Sequence, residues 1–365
     1  MSGNDDARRM RRALKLAARG RAKTAPNPMV GAVIVKRGRV VGEGYHRRAG
    51  GPHAEVWALR DAGQAARGAA IYVTLEPCSY HGRTPPCTEA LIEAGLRRVV
   101  VACTDPNPLV NGKGIRRLRR AGIEVAVGVL AREARALNAA YCKHVTTGLP
   151  LVSLKAAMSL DGKIATASRE SKWITGERAR TEAHRLRARH DAVLTGVETV
   201  LADDPELTVR MSRGSTPLRV VVDSRARTPA TARLLTADGR PPVIAVTRQA
   251  PQTRIRRLER AGAEIWVIGS RAGKVNLRSL MKRLGRRGIQ SVLVEAGGTL
   301  AAGALAARLV DRVYFFVAPR LIGGADALTP VEGVGVQQLS QAWRLERVRV
   351  RRLGEDLLIT GELAN

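Results

Sequence analysis

Short apolar runs alternate with amphipathic segments along the first 145 residues of this 365-residue chain. Runs rich in Val, Ile and Ala that are bounded by turn residues predict strands, and apolar positions at helical spacing predict helices. Strands are expected at 30–35, 40–44, 70–75, 98–103 and 124–127, and helices at 8–19, 53–66, 88–95 and 114–121. Alternation of this kind is typical of an α/β domain.

The alternation resumes after Thr146-Thr147-Gly148-Leu149-Pro150, which we interpret as a hinge between domains 1–147 and 148–365. Further strands are expected at 151–156, 192–195, 218–222, 243–246, 265–268, 291–295 and 313–317. Two tandem α/β domains account for this pattern better than one large sheet, and the chain length agrees with two domains.

Composition narrows the class of protein. The chain is 45% hydrophobic but only 3% aromatic, and its net charge is +30. A basic field attracts phosphorylated substrates or nucleic acid, but nucleic-acid binders usually interleave basic and aromatic residues, so the low aromatic content argues against them. No apolar run reaches the length of a membrane span, and the N-terminus lacks the apolar core of a signal peptide. We therefore expect a cytoplasmic protein.

Residues 53–87 carry a candidate zinc site. His53 precedes a predicted helix, Cys78 follows a predicted strand, and Cys87 opens the next helix. Three His and Cys ligands leave Zn²⁺ a fourth position for water, whose pKa the ion lowers. Glu55 can then carry the proton from the water to the base and to the leaving ammonia. The set predicts hydrolytic deamination of an amino-substituted base with one Zn²⁺ per site, because zinc base deaminases carry His-x-Glu and Pro-Cys-x-x-Cys motifs.

The spacing of the two cysteines departs from that motif, because eight residues separate Cys78 from Cys87. The insertion, Ser79 to Pro86, brings a His, an Arg and a Thr to the pocket mouth. A structural zinc site is the alternative, but it would normally have four protein ligands. The other two cysteines, Cys103 and Cys142, lie on other predicted elements and are expected to be buried.

At this point the chain resembles a known family, the bifunctional deaminases and reductases of riboflavin biosynthesis. The resemblance rests on TAPNPMVGAVIV, TLEPCSYHGRTPPCTEALIEAG and ACTDPNPLVNGKGI in the first half, and on SLKAAMSLDGKIAT, ESKWITGERAR, HRLRARHDAVLTGVETVLADDPELTVR and VLVEAGGTLAAGAL in the second. It implies a cytidine-deaminase-like, three-layer α/β/α domain followed by a dihydrofolate-reductase-like α/β domain.

The resemblance also implies a function. Members of the family deaminate 2,5-diamino-6-ribosylamino-4(3H)-pyrimidinone 5′-phosphate and then use NADPH to reduce its ribosyl side chain to ribityl. In the deaminase domain it implies contacts to the phosphorylated pyrimidine from Asn27, His81, Thr84, Asp105 and Asn107. Members are commonly dimers or tetramers, so the resemblance also implies a homo-oligomer.

In the second domain, residues 291–308 predict a strand, a Gly-rich loop and a helix, whose first amide groups would suit a dinucleotide phosphate. The spacing is not that of a Rossmann fingerprint. The resemblance assigns to the NADPH site Ala157, Trp173, Thr199, Asp203, Ser224, Gly297, Gly298, Thr299, Leu300, Ala301, Ala302 and Gly303. It assigns to the reductase substrate Ser171, Arg187, Leu207, Arg210 and Glu295.

Four side chains of the second domain have a physical rationale. Arg187 and Arg210 can grip a phosphate through two N–H groups each. Lys155 and Asp203 are candidates for polarising or protonating the sugar imine. Lys155 is the stronger candidate, because an unpaired charge in an apolar strand would be costly.

Two other functions stay open. One is a base-editing deaminase that binds nucleic acid and has a non-catalytic second domain; it would need an aromatic, basic surface. The other is a family relative whose second domain binds nucleotide without catalysis. The intact SLDGK and ADDP segments disfavour it.

Overall fold

The computed structural model describes residues 3–80 and 85–364. The chain forms two compact units, Met1–Gly148 and Leu149–Asn365. The boundary between the units falls within the proposed hinge segment, whose first two residues are helical, because the last helix of the first unit continues through Thr147 and is ended by Gly148 at a φ of 69°.

The first unit contains one five-stranded sheet. Its strands are β1 (Gly31–Lys36), β2 (Arg39–Tyr45), β3 (Ala70–Val73), β4 (Arg98–Val101) and β5 (Glu124–Val127). They lie in the order β2-β1-β3-β4-β5. β1 runs antiparallel to both neighbours, whereas β3, β4 and β5 are parallel. The helices are α1 (Gly3–Ala17), α2 (Ala54–Ala62), α3 (Cys87–Glu93), α4 (Lys113–Arg120), α5 (Ala131–Leu137) and α6 (Ala139–Thr147).

Both faces of this sheet are covered by helices, because alternate residues of a strand point to opposite faces. One core joins Ile34, Ile71 and Val99 to α2, α3 and α4 through Ala58, Leu91 and Leu118. The other core joins Val33, Tyr72 and Val100 to α1, α5 and α6 through Met10, Ala134 and Tyr141. The three-layer α/β/α arrangement expected for the first domain is confirmed.

The second unit is built on a nine-stranded sheet. Its strands are β6 (Leu151–Ser159), β7 (Ala192–Gly196), β8 (Leu218–Val222), β9 (Val243–Val246), β10 (Glu264–Val267), β13 (Ser291–Glu295), β14 (Arg312–Ala318), β15 (Leu345–Leu353) and β16 (Asp356–Leu363), and a separate two-residue hairpin is formed by β11 (Ser270–Arg271) and β12 (Lys274–Val275). The order is β10-β9-β8-β7-β13-β6-β14-β16-β15. Neighbouring strands are parallel from β10 to β14, and β14, β16 and β15 pair antiparallel.

Helices cover both faces of the second sheet as well. They are α7 (Glu177–Ala188), α8 (Val197–Asp203), α9 (Arg233–Thr236), α10 (Gln252–Arg260), α11 (Leu277–Arg286) and α12 (Gly298–Ala306). α11 and α12 pack on one face, and α7 to α10 pack on the other. Among the described residues, no helix is long and apolar enough to cross a membrane.

The final hairpin of β15 and β16 was missed by the sequence analysis. β15 is an edge strand with nearly every residue exposed, and Arg349, Arg351 and Arg352 share it with Val348 and Val350. Val348 and Val350 alternate with arginine residues as they would in a half-buried strand, but the run is short and rich in Arg, and both faces of β15 are exposed.

The position of α2 depends on two glycines of β2. A methyl group on Gly42 would lie 2.3 Å from the backbone oxygen of Ala58, and one on Gly44 would lie 2.3 Å from that of Ala54. Only glycine therefore allows the helix to approach the strand this closely.

We expect Gly44→Ala to destabilise the first unit by about 2 kcal/mol, because the added methyl group must displace α2. Urea unfolding of the full chain followed by circular dichroism measures this effect. Gly269→Ala is the matched control, since a methyl group there meets no atom within 4 Å. Equal unfolding midpoints for the two variants would contradict the packing argument.

Candidate metal centre and cofactor cleft

Three ligand atoms meet at one point of the first unit. The ligand atoms of His53, Cys78 and Cys87 lie within 4.8 Å of one another. Nδ1 of His53 is 3.1 Å from Sγ of Cys87 and 3.6 Å from Sγ of Cys78. One imidazole and two thiols are the ligand set of a three-coordinate zinc site that leaves one position open. The predicted convergence of two helix starts and a strand end is therefore confirmed as geometry.

Local structure places each of these side chains. His53 is the N-cap residue of α2, and Cys87 is the first residue of α3. Cys78 lies in the segment after β3, where its sulfur accepts a hydrogen bond from the Cys87 amide at 3.4 Å. Its carbonyl accepts another from the Thr88 amide at 3.1 Å. Helix N-termini favour negative charge, so two of these positions suit thiolates.

The pKa values of the two thiols are shifted in opposite directions. The hydrogen bond from the Cys87 thiol, assisted by His53, lowers the pKa of Cys78 to about 4. The same bond and burial raise the pKa of Cys87 well above its usual range. Cys78 is thus a thiolate near neutrality, and a dication bound between the sulfurs would displace the remaining proton.

Glu55 lies in the first turn of α2, two residues after His53, and its side chain is buried. Burial raises the pKa of its carboxyl group. A carboxyl group with a raised pKa can both take and give a proton near neutrality, as general acid–base catalysis requires.

The predicted substrate contacts of the first unit lie on three segments. The Asn27 amide donates from Nδ2 to Nε2 of His46 at 3.2 Å. The Asp105 carboxylate accepts a hydrogen bond from the Tyr141 hydroxyl at 3.1 Å and another from the backbone N–H of Asn107 at 2.9 Å. Burial raises the pKa of Asp105. The other two predicted contacts, His81 and Thr84, lie outside the described residues.

Three residues at this site were not predicted. His46 contacts the His53 ring edge-on, with ring centroids 5.4 Å apart. Tyr141 holds Asp105. Glu76 accepts hydrogen bonds from the amides of Asp105, Gly112, Gly114 and Ile115 at 2.8 to 3.2 Å. Glu76 could have been suspected from its place directly before Pro77-Cys78, but His46 and Tyr141 have no local signal.

The second unit has a buried charge cluster at its centre. Glu295 at the end of β13 is the register partner of Lys155 on β6. Its carboxylate accepts from Nε and Nη2 of Arg187 at 2.6 and 2.9 Å, and Nζ of Lys155 lies 3.5 Å away. Burial would raise the pKa of Glu295, but Arg187 and Lys155 together lower it to about 2.

This cluster brings together the predicted residues Lys155, Arg187 and Glu295. Arg187, however, does not have its N–H groups free to bind a phosphate, as had been expected. Two of its N–H groups bind Glu295, and a third binds the Thr208 carbonyl at 3.1 Å. Three of the five N–H donors of the guanidinium are thus used. Leu207, the residue before Thr208, has a buried side chain, so only its backbone is available to a ligand.

Other predicted reductase residues form separate pairs. The Ser171 hydroxyl donates to Asp203 at 2.8 Å, and Asp203 is the last residue of α8. The Arg210 amide donates to Nδ1 of His184 at 3.2 Å, whereas the Arg210 guanidinium pairs with Glu206 at the surface. Burial and nearby Arg187 lower the pKa of His184 to about 4. Trp173 is 63% exposed and packs against Arg180.

A cleft of about 1420 Å³ opens beside the Gly-rich loop. Of the predicted cofactor residues, those that line it are Thr199, Ser224, Gly297, Gly298, Thr299, Leu300 and Gly303. Within the described part of the chain, the predicted residues outside the lining are Ala157, Trp173, Asp203, Ala301 and Ala302. The side chain of Ala301 faces the core, which explains its absence.

The predicted strand, loop and helix around residues 291–308 are confirmed, with β13 ending at Glu295 and α12 starting at Gly298. The Gly297 amide donates to the Thr199 hydroxyl at 3.3 Å, and the Val275 amide donates to the Ser224 hydroxyl at 3.1 Å. The basic side chains of the lining were not predicted; they are Arg169, Arg225, Arg227, Arg271, Lys274, Arg278 and Arg308. A positive cleft at a helix start fits a phosphorylated dinucleotide.

Two family models match the chain. The RibD C-terminal domain matches residues 150–359. The zinc-binding region of cytidine and deoxycytidylate deaminases matches residues 3–103. The match of the first model covers more than half of the chain.

Relatives match over nearly the full length. The riboflavin biosynthesis protein RibD of Actinobacillus pleuropneumoniae is 46% identical, with 96% of this chain and 93% of the relative covered. The RibD of Escherichia coli strain K12 is also 46% identical, with 96% and 97% covered.

Solved structures agree. Acinetobacter baumannii RibD superposes with a TM-score of 0.89 at 42% identity, with both chains fully covered (100%). A Thermotoga maritima diaminohydroxyphosphoribosylaminopyrimidine deaminase and 5-amino-6-(5-phosphoribosylamino)uracil reductase superposes with a TM-score of 0.88 at 35% identity, with 99% of each chain covered.

We expect Glu295→Gln to destabilise the second unit by about 3 kcal/mol at pH 7, because Arg187 and Lys155 lose their buried counterion. The folded-state pKa of Glu295 is lowered from 4.5 to about 2. Its ionisation therefore stabilises the fold above pH 4.5, and this stabilisation is lost as the pH falls toward 2. Urea unfolding at pH 7 and pH 3 tests both points.

The difference between wild type and Glu295→Gln should shrink at pH 3. The Gly44→Ala variant serves as the control, because it shifts the transition of the first unit and so identifies the transition of the second. A difference that stays the same at both pH values would show that the charge of Glu295 is not what stabilises the unit.

Proposed function

The chain belongs to the RibD family of bifunctional riboflavin-biosynthesis deaminases and reductases, and we propose that its two reactions take place at the His53, Cys78, Cys87 cluster and at the cleft beside Gly297. The observation that carries the proposal is the convergence of one imidazole and two thiols beside the buried Glu55. The substrate is then 2,5-diamino-6-ribosylamino-4(3H)-pyrimidinone 5′-phosphate, as the name of the Thermotoga maritima relative supports.

In the deaminase unit, His53, Cys78 and Cys87 would hold one Zn²⁺. Zinc, when bound, supplies a water molecule of lowered pKa. Glu55 would take one proton from the attacking water and give it to a ring nitrogen, and it would then carry a second proton, from the hydroxyl group formed at that carbon, to the leaving ammonia. Its burial, which raises the pKa of the carboxyl group, supports this role, because a higher pKa makes the carboxylate a stronger base.

The pyrimidine and its phosphate would be bound by Asn27, Asp105 and Asn107, together with His81 and Thr84. Asp105 is held by Tyr141 and by the Asn107 amide. An oriented carboxylate recognises N–H groups of a base edge, so the buried pair supports base recognition more than phosphate binding.

The second reaction reduces the ribosyl side chain of the deaminated product to ribityl. We propose NADPH as the cofactor of the cleft, where it supplies a hydride to the sugar when bound. The basic lining, which includes Arg225, Arg271 and Lys274, supports the dinucleotide with the additional phosphate. Thr199, Ser224 and the loop residues Gly297 to Leu300 line the cleft and are the proposed cofactor contacts within it. Ala157 and Trp173, which lie outside this lining, are proposed as further contacts on the family resemblance.

Lys155 is the proposed proton donor to the sugar imine, with Asp203 as the second candidate. The side chains of Lys155 and Arg187 are 17% and 14% exposed, whereas that of Glu295 is only 7% exposed. Glu295 forms ion pairs with both Lys155 and Arg187. Ser171, Leu207, Arg210 and Glu295 are the proposed substrate contacts. Asp203 is oriented by the Ser171 hydroxyl.

We also propose that the enzyme works in the cytoplasm, and the family resemblance supports a dimer or tetramer. A nucleic-acid-editing function has less support. The second unit would have no use in that function, and only 3% of the residues are aromatic.

We expect Glu55→Gln to lower ammonia release from the diamino-pyrimidinone ribotide by about 10²- to 10⁴-fold, because the proton carrier is lost. Zinc content should stay near one per chain. NADPH oxidation with the deaminated product should be unchanged, and this is the internal control. Ammonia release at the wild-type rate would remove Glu55 from the mechanism.

We expect the reciprocal result for Lys155→Met. NADPH oxidation with the deaminated product should fall by about 10²-fold or more, because the proton donor is absent, whereas ammonia release should be unchanged. Lys163→Met is a matched control, since Lys163 donates to the Ala327 carbonyl and not to Glu295. If both variants keep wild-type hydride transfer, Asp203 becomes the candidate to test.

A further inference from the structure

His46 has two polar contacts and one ring contact, and each joins a different part of the deaminase site. Nδ1 lies 3.1 Å from the carbonyl oxygen of Pro52, the residue before His53. Nε2 lies 3.2 Å from Nδ2 of Asn27. The His46 ring also packs edge-on against the His53 ring. His46 is buried, and neither polar partner carries a charge.

The Pro52 carbonyl determines where the proton of His46 lies. A carbonyl oxygen can only accept, so Nδ1 must carry the hydrogen. In the neutral ring Nε2 then has a lone pair, and it must accept a hydrogen bond from its partner. The partner is therefore the NH₂ group of the Asn27 amide and not its oxygen. This chain of donors and acceptors orients the amide, since its two ends are otherwise interchangeable.

The consequence is that Oδ1 of Asn27 points away from His46. Among the described residues, no hydrogen bond to this oxygen is found, and Asn27 is only half-buried. The oxygen is thus available to a ligand, next to the ring that borders His53. An oxygen of this kind accepts from an N–H group and repels a ring nitrogen that presents a lone pair.

The backbones that carry the two residues are held independently of this contact. The backbone N–H of Asn27 donates to the Thr24 carbonyl at 2.7 Å, and the backbone N–H of His46 donates to the Val30 carbonyl at 2.9 Å. The side chain of Asn138 also binds both backbone groups of Met29 at 2.8 Å. Removing the His46 ring should therefore allow the side-chain amide of Asn27 to rotate, while the backbone around Asn27 stays folded.

We propose that His46 is a positioning residue of the deaminase, which holds the Asn27 amide with its oxygen toward the substrate so that Asn27 accepts a hydrogen bond from an N–H group of the pyrimidine. The inference rests on the proposed deaminase function. It adds a specificity device: substrates that present an N–H donor at this position are accepted, and those that present a lone pair are rejected.

The experiment is a double-mutant cycle on the full chain with His46→Ala, Asn27→Ala and the double variant. Each single variant should raise the KM for ammonia release by about 10- to 100-fold, the effect of losing one buried hydrogen bond. The kcat should change by less than about threefold, because the lost contact binds ground state and transition state alike. The double variant should be no worse than Asn27→Ala, since His46 acts only through Asn27.

Two further variants separate positioning from a purely structural role. His46→Gln can donate to Pro52 and accept from Asn27, so it should restore at least part of the wild-type KM. His190→Ala is the matched control, because His190 also has two neutral polar partners, with Nδ1 on the Leu186 carbonyl and Nε2 on the Ser153 hydroxyl, but lies in the second unit. It should leave the KM for deamination unchanged.

Three results would overturn the inference: a wild-type KM in His46→Ala, additive losses in the double variant, or loss of zinc in His46→Ala together with no rescue by His46→Gln. Zinc content and NADPH oxidation, measured on every variant, report whether each unit has kept its fold. Absence of ammonia release by the wild-type chain would instead disprove the proposed function.

Discussion

The close contact between α2 and β2 is the constraint on which the deaminase site depends. α2 begins directly after His53 and carries Glu55 in its first turn. Gly42 and Gly44 allow the helix backbone to lie where a methyl group would otherwise be. Because metal–ligand distances tolerate errors of only about 0.2 Å, a shift of this helix would move His53 away from the two sulfurs. The metal centre is therefore set by glycines that do not touch it.

In the second unit, the corresponding constraint is the neutralisation of a buried carboxylate. Glu295 sits at the end of a central strand, where an isolated charge would be very costly. Arg187 and Lys155 compensate it from a helix and from the neighbouring strand. Two residues later the chain turns through Gly297 into α12, which borders the cleft. The charged cluster and the cofactor loop thus lie on one continuous segment at the carboxyl ends of parallel strands, where α/β sheets commonly bind their ligands.

A shared feature of the two units is that the polar side chains assigned to substrate are oriented by a buried or half-buried partner. His46 holds Asn27, Tyr141 holds Asp105, and Ser171 binds Asp203. Such partners fix the orientation of a functional group before the ligand arrives, which lowers the entropy lost on binding. They also explain why polar residues occur in otherwise apolar surroundings, since each of them satisfies another polar group.

The sequence alone determined most strands, the Gly-rich turn, the three metal-ligand candidates and Glu55. These features depend on residues close together in the chain, whose periodicity, turn chemistry and motif order can be recognised locally. The tertiary structure decided the rest. The partners Lys155 and Glu295 are 140 residues apart, Arg187 and Glu295 are 108 apart, and Tyr141 lies 36 residues from Asp105. No local pattern marks His46, and the short alternation of Val and Arg in β15 belongs to a strand that is exposed on both faces. Which distant side chains become partners is set by the packing of helices on the two sheets, and that packing depends on the whole chain.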